Sequence, residues 1–140
     1  MRLDHIGVQL TQLDKNLDWY KYVFNCKKSW ELDHFSPTTL SRLPGIKRLI
    51  ELKNEDLKLH LFERSDLDSS SNVRSQFQHT AIEVKSKNEI ESIIDRVRQT
   101  QEQSCIESIS EIITDEENMT CCYFFDPEGN EYELVAYEGS

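Results

Sequence analysis

Apolar and polar positions along this chain switch between two periods, and they do so twice in the same order. "RLDHIGVQL" (2–10) alternates: Ile6, Val8 and Leu10 fall on one face, and Leu3, His5, Gly7 and Gln9 on the other. That is the pattern of a strand covered on one side. "TQLDKNLDWYKYVFN" then repeats apolar residues three or four apart, through Leu13, Leu17, Tyr20 and Phe24, which predicts a helix. Thr11 or Asp14 is suited to cap its start, and Asn25 to end it in the left-handed conformation. Strands are predicted near Lys28–Leu32, Lys47–Leu52 and Leu57–Glu63, with "KNED" turning between the last two. Ser36–Arg42 reads as either loop or short helix.

"RSDLDSSSNVRSQ" (64–76) is polar, Ser-rich and nearly without apolar anchors, as a linker is. After it the order restarts. "FQHTAIEV" predicts a strand, and "KSKNEIESIIDRVRQTQE" a helix with Ile90, Ile93, Ile94 and Val97 on one side. Strands follow near Cys105–Ile113 and Met119–Phe125. "DPEGN" makes a turn, and "EYELVAY" closes the chain as a strand. The expected fold is therefore α+β, a single domain of 1–140 built from two βαβββ modules. Module 1 is 1–64, the linker 65–76 and module 2 77–140.

The register of the two copies carries the chemistry. His79 follows His5 by 74 residues, in the same place of each opening strand. Glu133 follows His60 by 73, in the same place of each closing strand. Each lies on the strand face opposite the helix-facing aliphatics, as Leu57, Leu59 and Leu61 show for His60. Alone, any one of these residues would read as surface or satisfied core. Together they are four metal-binding side-chain types at four equivalent positions, which makes His5, His60, His79 and Glu133 the candidate ligands.

Composition narrows the partners. A net charge of −10 argues against nucleic acid and anionic membranes. The sequence has no apolar run long enough to span a bilayer and no signal-peptide core, so a cytoplasmic protein is expected. Cys26, Cys105, Cys121 and Cys122 lack zinc-type spacing and read as reduced thiols.

"LDHIGVQLTQLDKNLDWYKYVF", "FQHTAIEV" and "YFFDPEGNEYELVAYE" resemble, in order, the opening and closing units of the vicinal oxygen chelate superfamily. That superfamily includes glyoxalase I, methylmalonyl-CoA epimerase, fosfomycin-resistance proteins and type I extradiol dioxygenases. The resemblance implies half-barrel modules and a divalent metal held by first- and last-strand side chains, matching His5, His60, His79 and Glu133 in this chain. Many relatives have Glu or Gln where this chain has His60, which leaves that residue's role as ligand open. Tyr123, Pro127, Gly129 and Glu133 also reproduce an extradiol-dioxygenase spacing, but "IITDEENMTCC" lacks the His those enzymes place before the Tyr.

Such a donor set suits one divalent transition ion, iron, nickel, cobalt, manganese or zinc. The ion would polarise two vicinal oxygens of a small-molecule substrate and stabilise an enolate. The leading expectation is a glyoxalase- or epimerase-like lyase or isomerase, with Glu133 as ligand and base. Glu83 is either a second acid–base group or a solvated carboxylate, and Tyr123 either a proton donor or a packed aromatic. An Fe(II) dioxygenase and a non-enzymatic, antibiotic-binding protein are the alternatives. Lys58 is the one basic residue whose phase beside His60 suits a cavity, which weighs against phosphonate, glutathione or coenzyme A recognition. Strand phase permits Trp30 and Phe62 to line the cavity. His34 reads as surface, and Trp19, Tyr20 and Phe24 as core. The resemblance further implies a homodimer, with each site inside one chain or shared between two.

Overall fold

The computed structural model describes residues 1–66 and 79–138. They fall into two compact units, within Met1–Arg74 and within Ser75–Ser140. In the first, β1 (Ile6–Leu10) is followed by α1 (Leu13–Val23), β2 (Lys27–Leu32), α2 (Pro37–Arg42), β3 (Ile46–Asn54) and β4 (Leu57–Arg64). Its sheet has the order β1-β4-β3-β2, with β1 parallel to β4 and the other neighbours antiparallel. The second contains β5 (His79–Glu83), α3 (Lys87–Gln99), α4 (Gln103–Ser108), β6 (Ile113–Thr114), β7 (Met119–Phe125) and β8 (Glu131–Tyr137). Its order is β5-β8-β7-β6, again with only the β5–β8 pair parallel. Both units are α+β and share one topology.

Period-two burial explains the sheets. In β4, Leu59 and Leu61 are fully buried while His60 between them keeps some exposure. In β8, Tyr132, Leu134 and Ala136 are buried around a half-buried Glu133. The helices cover the aliphatic faces. Ile90, Ile93, Ile94 and Val97 are the buried stripe of α3, as their spacing requires. Its start is fixed by Ser86, whose Oγ accepts from the Glu89 N–H at 3.3 Å. Trp19, Tyr20 and Phe24 lie in the first unit's core. The buried side of α1 is rotated from the expected one, with Asn16 buried and Leu17 half-buried.

Several ends differ from expectation for reasons outside the local sequence. Neither Thr11 nor Asp14 caps α1; the Leu13 N–H donates instead to the Glu63 carboxylate of β4 at 2.8 Å. Asp14 meets Arg48 at 2.6 Å. Asn25 does take the left-handed conformation, at φ 51°. Ser36–Arg42 resolves as a helix, capped by Ser36 and opened by Pro37. The strand expected near Cys105–Ile113 is instead α4, with only Ile113–Thr114 extended. Ser108 and Ser110 serve as side-chain acceptors along β7, from the N–H groups of Phe125 at 2.8 Å and Tyr123 at 2.9 Å. Side chains thereby supply bonds that the expected strand would have made with its backbone.

The final turn follows its sequence. Gly129 has φ +83°. The buried Asp126 carboxylate accepts from the N–H groups of Glu128 and Asn130 and from the Asn130 side chain. That bonding fixes the hairpin placing Tyr123 opposite Glu133. The expected linker, 65–76, lies beyond Asp66 outside the described residues, as do the first two residues of the "FQHTAIEV" segment. Among the described residues no helix is long and apolar enough to cross a membrane.

Candidate functional site

The ladders preserve the repeat register. In the first unit Gly7 of β1 pairs with His60, two residues on from His5. In the second, Ala81 of β5 pairs with Glu133, two residues on from His79. His5 itself stands just before the first residue of β1, not inside the strand. The antiparallel neighbours match too: Glu51 of β3 is opposite His60, and Tyr123 of β7 is opposite Glu133.

In the first unit, the His5 and His60 rings stack with centroids 3.7 Å apart and planes 13° from parallel. The His60 Nε2–H donates to Glu51 Oε2 at 2.8 Å, since an ionised carboxylate only accepts. Glu51 is nearly buried, at 4 % exposure. Burial opposes its ionisation, but the hydrogen bond from His60 and the charge of Lys53 outweigh it and hold its carboxyl below the ordinary range. His5 is more open, and its Nδ1 lies 2.7 Å from Asp4 Oδ2. Trp30 meets the His60 ring edge-on at 5.0 Å. A Cβ at position 7 would stand 3.3 Å from the Phe62 ring, so glycine there leaves room for that aromatic. Lys58 pairs with Asp4 at 3.3 Å.

In the second unit, both oxygens of Glu133 are engaged. Tyr123 Oη donates to Oε1 at 2.9 Å, and His79 Nε2 lies 3.3 Å from Oε2. Glu131 stands 3.9 Å from the other ring nitrogen of His79. The hydrogen bond to Glu133, with burial and that residue's charge, pushes the Tyr123 hydroxyl up to about 12. It therefore remains a donor at neutral pH. Cys121 sits two residues before Tyr123 on the same strand face, its thiol pushed up by burial and by Glu133. Glu83 is exposed at the end of β5, and His34 is almost wholly exposed beside Asp33. All four cysteines are free thiols, with burial pushing Cys26 up to about 11 and Cys105 up to about 12.

The structure thus joins His5 with His60, and His79 with Glu133 and Tyr123. Within neither unit, among the described residues, do three or more His, Cys, Asp or Glu side chains gather as a metal site. The donors come as pairs. Two ligands about 2.1 Å from one ion stand roughly 3.0–3.4 Å apart at octahedral or tetrahedral angles, and His79 Nε2 and Glu133 Oε2 match that at 3.3 Å. Imidazole and carboxylate are donor types that suit a divalent ion. Sequence reasoning missed Glu51, although "LIELK" carries the same signal as "EYELV", a carboxylate between buried apolar neighbours.

Residues 2–134 match the Glyoxalase/Bleomycin resistance protein/Dioxygenase superfamily. Among solved structures, a glyoxylase/bleomycin resistance protein/dioxygenase domain from Frankia sp. EAN1pec is 13 % identical with a TM-score of 0.74, covering 100 % of this chain and 95 % of that one. The fosfomycin resistance protein FosX from Listeria monocytogenes, complexed with Mn(II) and sulfate, is 17 % identical with a TM-score of 0.62, covering 96 % and 91 %. Lactoylglutathione lyase from Agrobacterium tumefaciens is 18 % identical with a TM-score of 0.64, covering 96 % and 92 %. At such identities the likeness shows the fold. No curated protein matches the chain closely enough to count as a relative.

Proposed function

The chain belongs to the Glyoxalase/Bleomycin resistance protein/Dioxygenase superfamily, and we propose that it is a divalent-metal-dependent enzyme of the glyoxalase or epimerase kind. Its reaction moves a proton at the carbon beside a carbonyl of a small molecule with vicinal oxygens. The observation that carries this reading is the Tyr123–Glu133–His79 arrangement, a carboxylate with a phenol on one oxygen and an imidazole near the other.

His5, His60, His79 and Glu133 are the proposed ligands, two from each module. The Mn(II) held in the FosX structure supports a divalent ion as the occupant. When bound, the ion would supply Lewis acidity toward the substrate oxygens. Glu133 takes the proton from carbon and returns it. Tyr123 orients Glu133 through Oε1 and, staying protonated, does not compete as base. Glu83, two residues beyond the Ala81 that pairs with Glu133, is proposed as a second proton carrier. His79 Nε2, near the other oxygen of Glu133, is placed to share the ion with it. Trp30, edge-on to the His60 ring, and Phe62, against Gly7, would exclude water around His60.

Homodimerisation and a cytoplasmic location belong to the same proposal. The test is proton exchange into a panel of 2-oxo acids, hydroxyketones and hemithioacetals in deuterated water, read by NMR with the metal-loaded protein. Exchange that disappears in Glu133→Gln supports the proposal. Oxygen uptake with Fe(II) and a catechol, without such exchange, would favour the dioxygenase alternative.

A further inference from the structure

We infer that Glu51 is a positioning residue that fixes the His60 imidazole in the tautomer with hydrogen on Nε2, leaving Nδ1 to carry the lone pair. The inference rests on the proposed role of His60 as a metal ligand. It starts from a nearly buried carboxylate whose Oε2 lies 2.8 Å from His60 Nε2. A carboxylate has only acceptor sites to offer, so the ring nitrogen facing it must carry the hydrogen. In a neutral imidazole the other nitrogen is then the base, and it alone can bind a metal.

The neighbouring ring has the opposite arrangement. His5 faces the Asp4 carboxylate through Nδ1 at 2.7 Å, which leaves Nε2 with the lone pair. Two imidazoles stacked 3.7 Å apart thus offer different nitrogens. The holds differ in strength as well. Each carboxylate also faces a lysine, Lys58 for Asp4 and Lys53 for Glu51, but Asp4 is 70 % exposed and the Glu51 side chain 5 %. Water can replace Asp4 far more readily than Glu51.

The second unit supports a positioning role by equivalence. Tyr123 occupies on β7 the place that Glu51 occupies on β3, directly opposite the last-strand donor. Each partner is complementary to what it faces: an acceptor opposite the His60 N–H, a donor opposite the Glu133 carboxylate. One strand position in each module therefore orients the adjacent proposed ligand.

The experiment is long-range ¹⁵N–¹H correlation NMR of the metal-free full chain, followed by titration with Co(II). The four histidines keep the imidazole spectrum assignable through single substitutions. The wild type is expected to show His60 with hydrogen on Nε2. Glu51→Gln, whose carbonyl still accepts, keeps that tautomer, whereas Glu51→Leu loses it. Co(II) binding weakens roughly 10- to 100-fold in Glu51→Leu and less in Glu51→Gln. Hydrogen on Nδ1 in the wild type, or an unchanged His60 spectrum in folded Glu51→Leu, overturns the inference. Should Glu51→Leu fail to fold, the wild-type and Glu51→Gln spectra still decide it. Co(II) binding by none of the proteins would sink the metal reading while leaving the tautomer result standing.

Discussion

The two units pair the same strands in the same register, yet the chemistry on the equivalent positions is exchanged. The first puts an imidazole on its last strand with a carboxylate beside it; the second puts a carboxylate there with a phenol beside it. Backbone geometry is common to both, because it depends on period-two burial and on one parallel pair per sheet. Function is carried by side chains that the pairing leaves free to vary. In the proposed division of labour the first unit binds and the second both binds and reacts. His60 cannot supply a negative base, whereas Glu133 can.

Replacing the reacting group should have the largest effect. Glu133→Gln keeps the size and the Tyr123 hydrogen bond but removes the base, and proton exchange should fall about 10²- to 10⁴-fold. His60→Gln should mainly weaken metal binding. Equal losses of catalysis at saturating metal in the two variants would abolish the distinction between the units. Next come the matched core positions Leu61 and Leu134, one residue beyond His60 and Glu133 and both fully buried. Truncation of either to Ala should cost about 2–5 kcal/mol in denaturant unfolding. A cost near zero at one of them would show that its sheet does not rest on that face.

Removing the phenol should matter less. Tyr123→Phe loses one hydrogen bond to a charged partner, about 1.5–3 kcal/mol at most, with a modest fall in rate and no loss of metal. Its pH signature has a definite sign. The hydroxyl is raised from about 10 when unfolded to about 12 when folded. Its contribution to stability is therefore full below pH 10 and is lost as pH rises toward 12. Wild type should lose stability across that window more steeply than Tyr123→Phe; identical alkaline unfolding curves would refute this. The smallest effect is expected at exposed Glu83, where Gln should change stability by no more than about 0.5 kcal/mol. A rate change in Glu83→Gln smaller than that in Glu133→Gln, but measurable, would support its proposed role as second proton carrier.

Much of this was legible in the sequence because alternating burial and a repeated register are written directly in residue spacing. β7 and β8 have the expected limits, and the repeat register reappears in the ladders, where His60 and Glu133 pair with Gly7 and Ala81, each two residues after a histidine. What escaped depends on partners distant in sequence. Cys105, Ile106 and Ile109 suit a short helix as well as a strand, and the serine bonds to β7 that complete the edge lie more than ten residues away. The start of α1 is held by Glu63, fifty residues on. Glu51 carried the same carboxylate-in-a-strand signal as Glu133. It went unread because its significance arises from the antiparallel partner, His60, which spacing along the first and last strands does not reveal.

The central claim, that these equivalent positions hold a metal, is tested most directly by elemental analysis of protein purified without a His-tag, alongside His5→Ala and Glu133→Ala. The account predicts near-stoichiometric transition metal in the wild type and its loss in both variants, one from each module. Metal absent from the wild type under every loading condition, or retained undiminished in both variants, would contradict it.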